Sequence, residues 1–301
     1  MNSPAYVLVT PARNEEATIE ITLQSVVNQT LLPMEWVIVS DQSTDSTDEI
    51  VRRYGAQHTF IRLVRLEHGS ERSFSSVVHA TEAGIEALTA KNYDFLGLLD
   101  ADVRLKPDYY ETLIGRFAAD PGLGLAGGLV LDVINGKVCR GRQYLGDIAG
   151  ATQFFRRKCF ESIGGLVTIP EGGWDAITCV QARANGYQTA TFPDLIVEHL
   201  KPRNISEGNV LRRNWQMGIR DYALGSHPVF EVVKCVARAA ESPLLAGAAV
   251  RLLAFAWCSV RRRRRTISIE VMRRTRQEQI NRIIPKSLTR ADCNRVNRKA
   301  D

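Results

Sequence analysis

Continuous apolar runs and helical spacings alternate along the first third of the chain. Ala5-Tyr6-Val7-Leu8-Val9-Thr10 is a short run rich in branched residues, and Pro11 closes it. Glu15-Glu16-Ala17-Thr18-Ile19 then opens a helical spacing with apolar positions at Ile19, Leu23 and Val26-Val27, its acids suiting the start of a helix dipole. Trp36-Val37-Ile38-Val39-Ser40 is a second run, ending in Asp41, and Ser43 to Asp48 supplies N-cap residues for a helix Glu49–Tyr54. Ile61–Leu66 predicts a third strand, Phe74–Leu88 a third helix, and Phe95-Leu96-Gly97-Leu98-Leu99 a fourth strand. Runs this short and unbroken suit strands buried on both faces. Their alternation with helices predicts an α/β fold with a mostly parallel, doubly wound sheet.

Beyond Pro107, which opens a helix, the pattern loosens. Gly122-Leu123-Gly124-Leu125-Ala126-Gly127 fits the dinucleotide fingerprint, but that motif must open a helix. Here Gly128 to Ile134 continues as strand, so a hairpin through Asn135-Gly136 is predicted, with Val138–Tyr144 returning. Small residues at Gly150-Ala151 allow close approach of a ligand or serve a tight turn. Pro170 to Ala176 precedes a helix that ends at Gly186, and Phe192–His199 is the last strand.

Charge divides the chain. Residues 201–301 carry 22 Lys and Arg against 8 Asp and Glu, net +14, leaving 17 against 25, net −8, in residues 1–200. A basic region beside an acidic one points to an anionic partner for the former. Pro243–Val260 is largely apolar, broken by Arg251 and followed by Arg261 to Arg265. It is short for a spanning helix, which needs about 20 apolar residues. Two readings stand: an amphipathic helix on anionic lipid, or a packed helix pair with a solvated basic run. Nucleic acid ranks behind both, for want of a binding motif. The N-terminus lacks the basic, apolar pattern of a signal peptide, and six scattered Cys without a Cys-x-x-Cys pair read as thiols in the cytoplasm.

The chemistry concentrates at Asp100-Ala101-Asp102, after the fourth strand, where open α/β sheets bind ligands. In extended chain the two carboxylates share a face, and such a pair needs a cation or a proton. Oxygen ligands without Cys favour Mg²⁺ or Mn²⁺, which usually bring phosphates; the plain alternative is a solvated acidic turn. Pro11 offers a wall for a flat base. Asp41 is suited to accept from a base N–H or to cap the following helix, and Arg13 to form a surface ion pair or meet a diphosphate.

Val9-Thr10-Pro11-Ala12-Arg13-Asn14-Glu15-Glu16, Val37-Ile38-Val39-Ser40-Asp41-Gln42-Ser43-Thr44-Asp45 and Asp100-Ala101-Asp102, in this order, resemble family 2 glycosyltransferases over about residues 5–200. The resemblance implies a GT-A fold and transfer of a sugar from a nucleotide-sugar with inversion. It places the nucleobase at Asp41, with Pro11 and Glu15 near base or ribose. Asp100 falls at the ribose and supports the metal, Ala101 falls in the nucleotide-sugar site, and Asp102 binds the metal, Mg²⁺ or Mn²⁺. Arg72, in a segment Gly69-Ser70-Glu71-Arg72-Ser73 that departs from the family's Gly/Asn-rich run, falls near the diphosphate. Counted back from Gly186-Tyr187, the Asp of the family's Glu-Asp pair is Asp175, the acceptor base, while its Glu is replaced by Trp174; Glu171 is left open as a substitute. His199 either completes the metal shell or is a hydrogen-bonded sheet-end imidazole.

The expected organisation is a GT-A catalytic domain over 1–205, a basic helical extension over 206–285 that associates with membrane, and a polar tail over 286–301. The expected activity uses a UDP-sugar by preference and a hydroxyl of a glycan or lipid-linked acceptor, in the cytoplasm or peripherally on the inner face of the membrane. Arg212 to Gly218 is similar to the Gln-x-x-Arg-Trp element of processive members but lacks its spelling, which argues against a polymerase. A nucleotidyltransferase is the rival enzyme, although it would carry a Gly-rich, Lys-containing loop where this chain has Pro-Ala-Arg-Asn-Glu. A membrane-associated scaffold that has lost its chemistry is the rival of another class.

Overall fold

The computed structural model describes residues 4–67, 74–134, 137–139, 144–201, 210–240 and 243–284. Arg72 and the Asn135-Gly136 turn lie outside them. The chain separates into two compact units, Met1–Ser206 and Glu207–Asp301.

The first unit opens with β1 (Tyr6–Ala12), α1 (Ile19–Val27), β2 (Glu35–Ser40), α2 (Thr47–Gln57), β3 (Ile61–Arg65), α3 (Phe74–Glu86) and β4 (Phe95–Leu98). It continues through β5 (Val103–Arg104), α4 (Tyr109–Ala119), β6 (Leu123–Ile134), β7 (Lys137–Cys139), β8 (Phe154–Arg156), α5 (Arg157–Ile163), α6 (Trp174–Ala184) and β9 (Gln188–His199). The described strands form one sheet in the order β3-β2-β1-β4-β8-β6-β9-β5, with β7 on β6. Pairing is parallel from β3 to β4 and between β6 and β9, whereas β8 runs antiparallel to both β4 and β6. The predicted hairpin is present as the antiparallel β6–β7 pair.

Two-face burial explains the unbroken apolar runs. Tyr6, Leu8, Trp36 and Ile38 pack on one side of the sheet with Ile19 and Leu23 of α1 and Tyr109 and Leu113 of α4. Their neighbours Val7, Val9, Val37 and Val39 pack on the other with Val78 of α3 and Cys179 and Ala182 of α6. Each such side chain contributes about 1.5–3 kcal/mol relative to exposure. Trp36 is fully buried, and its indole N–H donates to Thr10 Oγ1 at 2.9 Å, so its polar edge is satisfied. Gly97 allows close packing within the sheet: a Cβ there would lie 2.4 Å from Leu8 Cδ2.

The second unit contains α7 (Val210–Ala223), α8 (Pro228–Ala237), α9 (Ala246–Val260) and α10 (Ile269–Ile283). Gly218 lets α7 meet α9, since a Cβ would stand 2.2 Å from the Arg251 carbonyl oxygen. Tyr222, Phe255 and Cys258 form the apolar seam. Arg251 is buried and pairs with Asp221 at 2.5 Å and Glu231 at 3.2 Å; Lys234 reaches the same acids at 3.0 and 2.6 Å. Burial alone would raise Asp221, but Lys234 and Arg251 outweigh it and hold that carboxyl below its usual range. One face of the 243–260 segment is therefore packed, as one reading expected, while the other is exposed. No described helix is long and apolar enough to cross a membrane.

Candidate active site

The loops that follow β1 and β2 are laced together. Asn14 N–H donates to Ser43 Oγ (3.1 Å), Glu15 N–H to Thr47 Oγ1 (2.7 Å) and Glu16 N–H to Asp45 Oδ2 (3.0 Å). In return, Thr44 N–H donates to Asn14 Oδ1 (2.8 Å) and Ser46 N–H to Glu16 Oε2 (3.0 Å). Asn14 and Gln42 both adopt left-handed backbone, with φ of 56° at each, which turns the two loops sharply toward one another. The result is a fixed wall. Asp41 stands in it, 5% exposed, its Oδ2 accepting from Arg13 Nη1 at 3.1 Å. Asp41 does not cap the next helix: Ser46 holds the N-cap position of α2, and the Thr47 N–H donates to Asp45 Oδ1.

The paired acids converge by a route the sequence did not suggest. Strand β4 stops at Leu98, and Asp100-Ala101-Asp102 forms a turn into the two-residue β5, so strand alternation does not align the carboxylates. The turn is pinned instead. The Asp100 N–H donates to the Ala151 carbonyl (3.1 Å), and the Leu200 N–H to that of Asp102 (2.8 Å). Thr22, fully buried on α1, accepts from the Val103 N–H (3.1 Å), and its hydroxyl lies within 2.9 Å of the Ala101 and Val103 carbonyls. Strand β5 pairs Val103 with His199, which brings the end of β9 to the same place.

Ligand atoms of Asp100, Asp102 and His199 lie within 4.8 Å of one another. His199 is 6% exposed, with Nε2 3.4 Å from Asp102 Oδ1 and Nδ1 3.3 Å from Asp132 Oδ1. The second approach is an ion-pair distance without hydrogen-bond alignment, so Nδ1 is a buried nitrogen lacking a formed hydrogen bond. Burial pushes the Asp102 carboxyl above its usual range; His199 opposes the push, Glu15 adds to it, and Lys201 opposes it. A buried carboxylate short of positive charge, with a second carboxylate and an imidazole in reach, is a donor set suited to a divalent cation. Mn²⁺ accepts this mixture of oxygen and nitrogen, so the residues fit the implied metal.

A cavity of about 520 Å³ opens over this group. Pro11, Arg13, Glu15, Asp41, Asp100, Ala101 and Asp102, all expected at the donor site, line it. Ser76, Val77 and Ala80 of α3 line it as well, and sequence reading did not find them. Lys201, also missed, pairs with Glu15 Oε2, which accepts from Thr18 Oγ1 too (2.8 Å). Asp175 does not line the cavity. It lies in the first turn of α6, past the N-cap Gly173, and its Oδ2 is 3.3 Å from the Gly150 N–H. The 3₁₀ turn Gly150–Thr152 links the two acid centres, since Ala151 accepts from Asp100. A Cβ at Gly150 would lie 2.8 Å from Trp174 Cζ2, so this contact requires glycine.

Comparisons with known proteins find relatives of the chain by sequence and by fold. A sequence profile described as Glycosyl transferase family 2 matches residues 7–158. The chain is 31% identical over 125 residues to 4,4'-diaponeurosporenoate glycosyltransferase of Staphylococcus aureus, a match spanning 41% of this chain and 31% of that relative's length. Its fold is similar to that of the mannosyltransferase PcManGT from Pyrobaculum calidifontis in complex with GDP-Man and Mn²⁺, with a TM-score of 0.59, 19% identity and coverage of 88% of this chain and 89% of that one. It is also similar to residues 1–349 of S. aureus TarS in complex with UDP-GlcNAc, with a TM-score of 0.53, 15% identity and coverage of 84% and 71%.

Proposed function

Because the chain belongs to glycosyl transferase family 2, we propose that it transfers a sugar, with inversion, from a nucleoside-diphosphate sugar to the hydroxyl of a glycan or lipid-linked acceptor. The observation that carries this reading is the cavity that has Asp41 in its wall and the Asp100–Asp102–His199 group beside it. A UDP-sugar is the favoured donor. Asp41 accepts from the base N–H, Pro11 packs on the base, and Glu15 with Asp100 and Ala101 faces the ribose. Arg13 holds the Asp41 carboxylate in position, and through it acts on the base. Arg72 meets the diphosphate.

Asp102, Asp100 and His199 are the residues that would hold Mn²⁺ or Mg²⁺, whose contribution is to offset the charge of the departing diphosphate. Asp175 takes the proton of the acceptor hydroxyl as that oxygen bonds to the anomeric carbon and the nucleoside diphosphate leaves. The Gly150 amide fixes this carboxylate, and Asp175 stands outside the donor cavity, as suits a group that serves the acceptor. The basic second unit supports a position on the cytoplasmic face of the membrane, near a lipid-linked acceptor.

Incubating the full-length protein with UDP- and GDP-sugars and Mn²⁺ tests the reading by its product. Release of nucleoside diphosphate is expected. Release of sugar 1-phosphate would mark nucleotidyl transfer instead, and release of neither from any nucleotide-sugar would leave a protein that binds without turnover.

A further inference from the structure

Helix α8 buries Glu231 and exposes an apolar face, and α9 buries Arg251 within an apolar seam and exposes a second apolar stripe. On α8 the buried positions include Glu231 and Cys235, whereas Val229, Val232, Val233 and Val236 are exposed, Val236 at 69%. On α9, Arg251, Ala254, Phe255 and Cys258 face inward, while Leu253, Trp257 and Val260 form an outward stripe. On α8 this inverts the usual amphipathic arrangement, in which the polar face meets water. The two helices are joined through the Arg251–Glu231 ion pair.

The chain between them extends the pattern. Leu244 and Leu245 are 69% and 64% exposed. Leu245 has φ 58° and ψ −43°, and the Ala246 N–H donates to the Leu244 carbonyl at 2.6 Å. This is a γ-turn of the rare positive-φ kind, a conformation leucine adopts only under constraint.

Charge identifies what covers these faces. The described residues of the second unit include 15 Lys and Arg against 4 Asp and Glu. Two of the four acids, Asp221 and Glu231, are buried against Arg251 and Lys234. No described exposed residue of α8 or α9 is acidic. Arg261 to Arg264 are exposed just past α9, and the Arg261 guanidinium lies 4.4 Å over the Trp257 ring. An indole capped by arginine next to a leucine stripe is suited to the boundary of acyl chains and head groups. Nucleic acid would meet the arginines but not the valine face, and a second copy would set one arginine-rich surface against another.

We propose that α8, the Leu244-Leu245 corner and α9 form a single docking surface for an anionic lipid bilayer, with the corner inserted among the acyl chains and Arg261 to Arg264 on the head groups. This deepens the membrane part of the function proposed above. It can fail without touching the donor site.

The test uses the full-length protein with vesicles of phosphatidylcholine, with and without about a third phosphatidylglycerol. Co-sedimentation with the anionic vesicles should exceed that with neutral ones by about tenfold or more. The pair Leu244→Glu and Leu245→Glu should lower it about tenfold while leaving UDP or GDP binding and the melting temperature unchanged. Replacing Arg261 to Arg264 by Gln should lower it similarly and flatten its dependence on salt. Brominated lipid should quench wild-type tryptophan emission, with that quenching lost in Trp257→Phe. Equal sedimentation of the wild type and the Leu-to-Glu pair, or no quenching assigned to Trp257, would overturn the proposal. So would a dimer in sedimentation velocity that the Leu-to-Glu pair dissociates, because the apolar faces would then belong to a second copy.

Discussion

One imidazole is bracketed by two carboxylates: His199 has Asp102 3.4 Å from Nε2 and Asp132 3.3 Å from Nδ1. Asp132 stands opposite His199 in the parallel β6–β9 register, so the sheet itself sets the arrangement. Although no hydrogen bond is formed at Nδ1, a negative charge 3.3 Å from the far nitrogen raises the basicity of a ligating imidazole. Asp132→Asn is expected to weaken Mn²⁺ affinity by about 10–100-fold, read by electron paramagnetic resonance titration, with melting little changed. An unchanged affinity would reduce Asp132 to a strand-pairing residue.

Thr22 acts one step further away. It is fully buried and satisfies the Val103 N–H beside Asp102. Thr22→Val keeps the volume and removes the hydroxyl, leaving that amide without its partner. The expected cost is about 1–3 kcal/mol of stability, seen in urea denaturation, together with weaker Mn²⁺ binding as the acid turn loosens. Stability loss with unaltered metal binding would show that the turn holds its shape without Thr22.

Asp175 should separate chemistry from donor binding. Asp175→Asn retains an oxygen for the Gly150 amide but removes the base. Turnover is expected to fall by about 10²–10⁴-fold, with nucleotide affinity unchanged in calorimetry. A parallel loss of affinity would place Asp175 in the donor site instead.

The carboxylate of Glu35 gives the fold a dependence on acid. It is buried, yet accepts from the Thr89 and Ala90 amides at 2.8 Å each and from Arg62 at 2.7 Å. Burial raises its pKa, but the Ala90, Arg62 and Thr89 donors outweigh burial and hold it below the usual 4.5. The folded carboxyl therefore protonates at lower pH than the unfolded one. Its contribution is complete above the unfolded value and disappears as pH falls through the folded value. Glu35→Gln should cost about 2 kcal/mol at pH 7, measured by urea denaturation, and the difference from wild type should narrow toward pH 3. A constant difference across that range would contradict the assignment.

The sheet was legible in the sequence because burial on both faces writes itself as unbroken apolar runs. Those at Tyr6–Thr10, before Asp41 and before Asp100 became β1, which continues through Pro11 to Ala12, β2 and β4, and Leu123 to Gly127 stayed in a strand instead of opening a helix. Position along the chain also marked the loops that line the cavity. What local pattern could not carry was pairing between distant segments. Asp132 sits inside a twelve-residue strand and gains meaning only from the β6–β9 register. Thr22 reads as an ordinary polar residue of an amphipathic helix, although its hydroxyl serves a turn 81 residues away. Lys201 meets Glu15 across 186 residues. The alignment of Asp100 and Asp102 was anticipated for the wrong reason, because a pinned turn achieves what strand alternation was expected to do.

The central claim is a nucleotide site completed by a cation at Asp102. The most direct test is calorimetric titration of UDP, then GDP, into wild type and Asp102→Ala, each with and without Mn²⁺. Binding of one nucleotide that depends on Mn²⁺ in the wild type, and is lost or much weakened in Asp102→Ala, is the predicted result. Binding of equal strength with and without Mn²⁺, or identical binding by both proteins, would contradict the account.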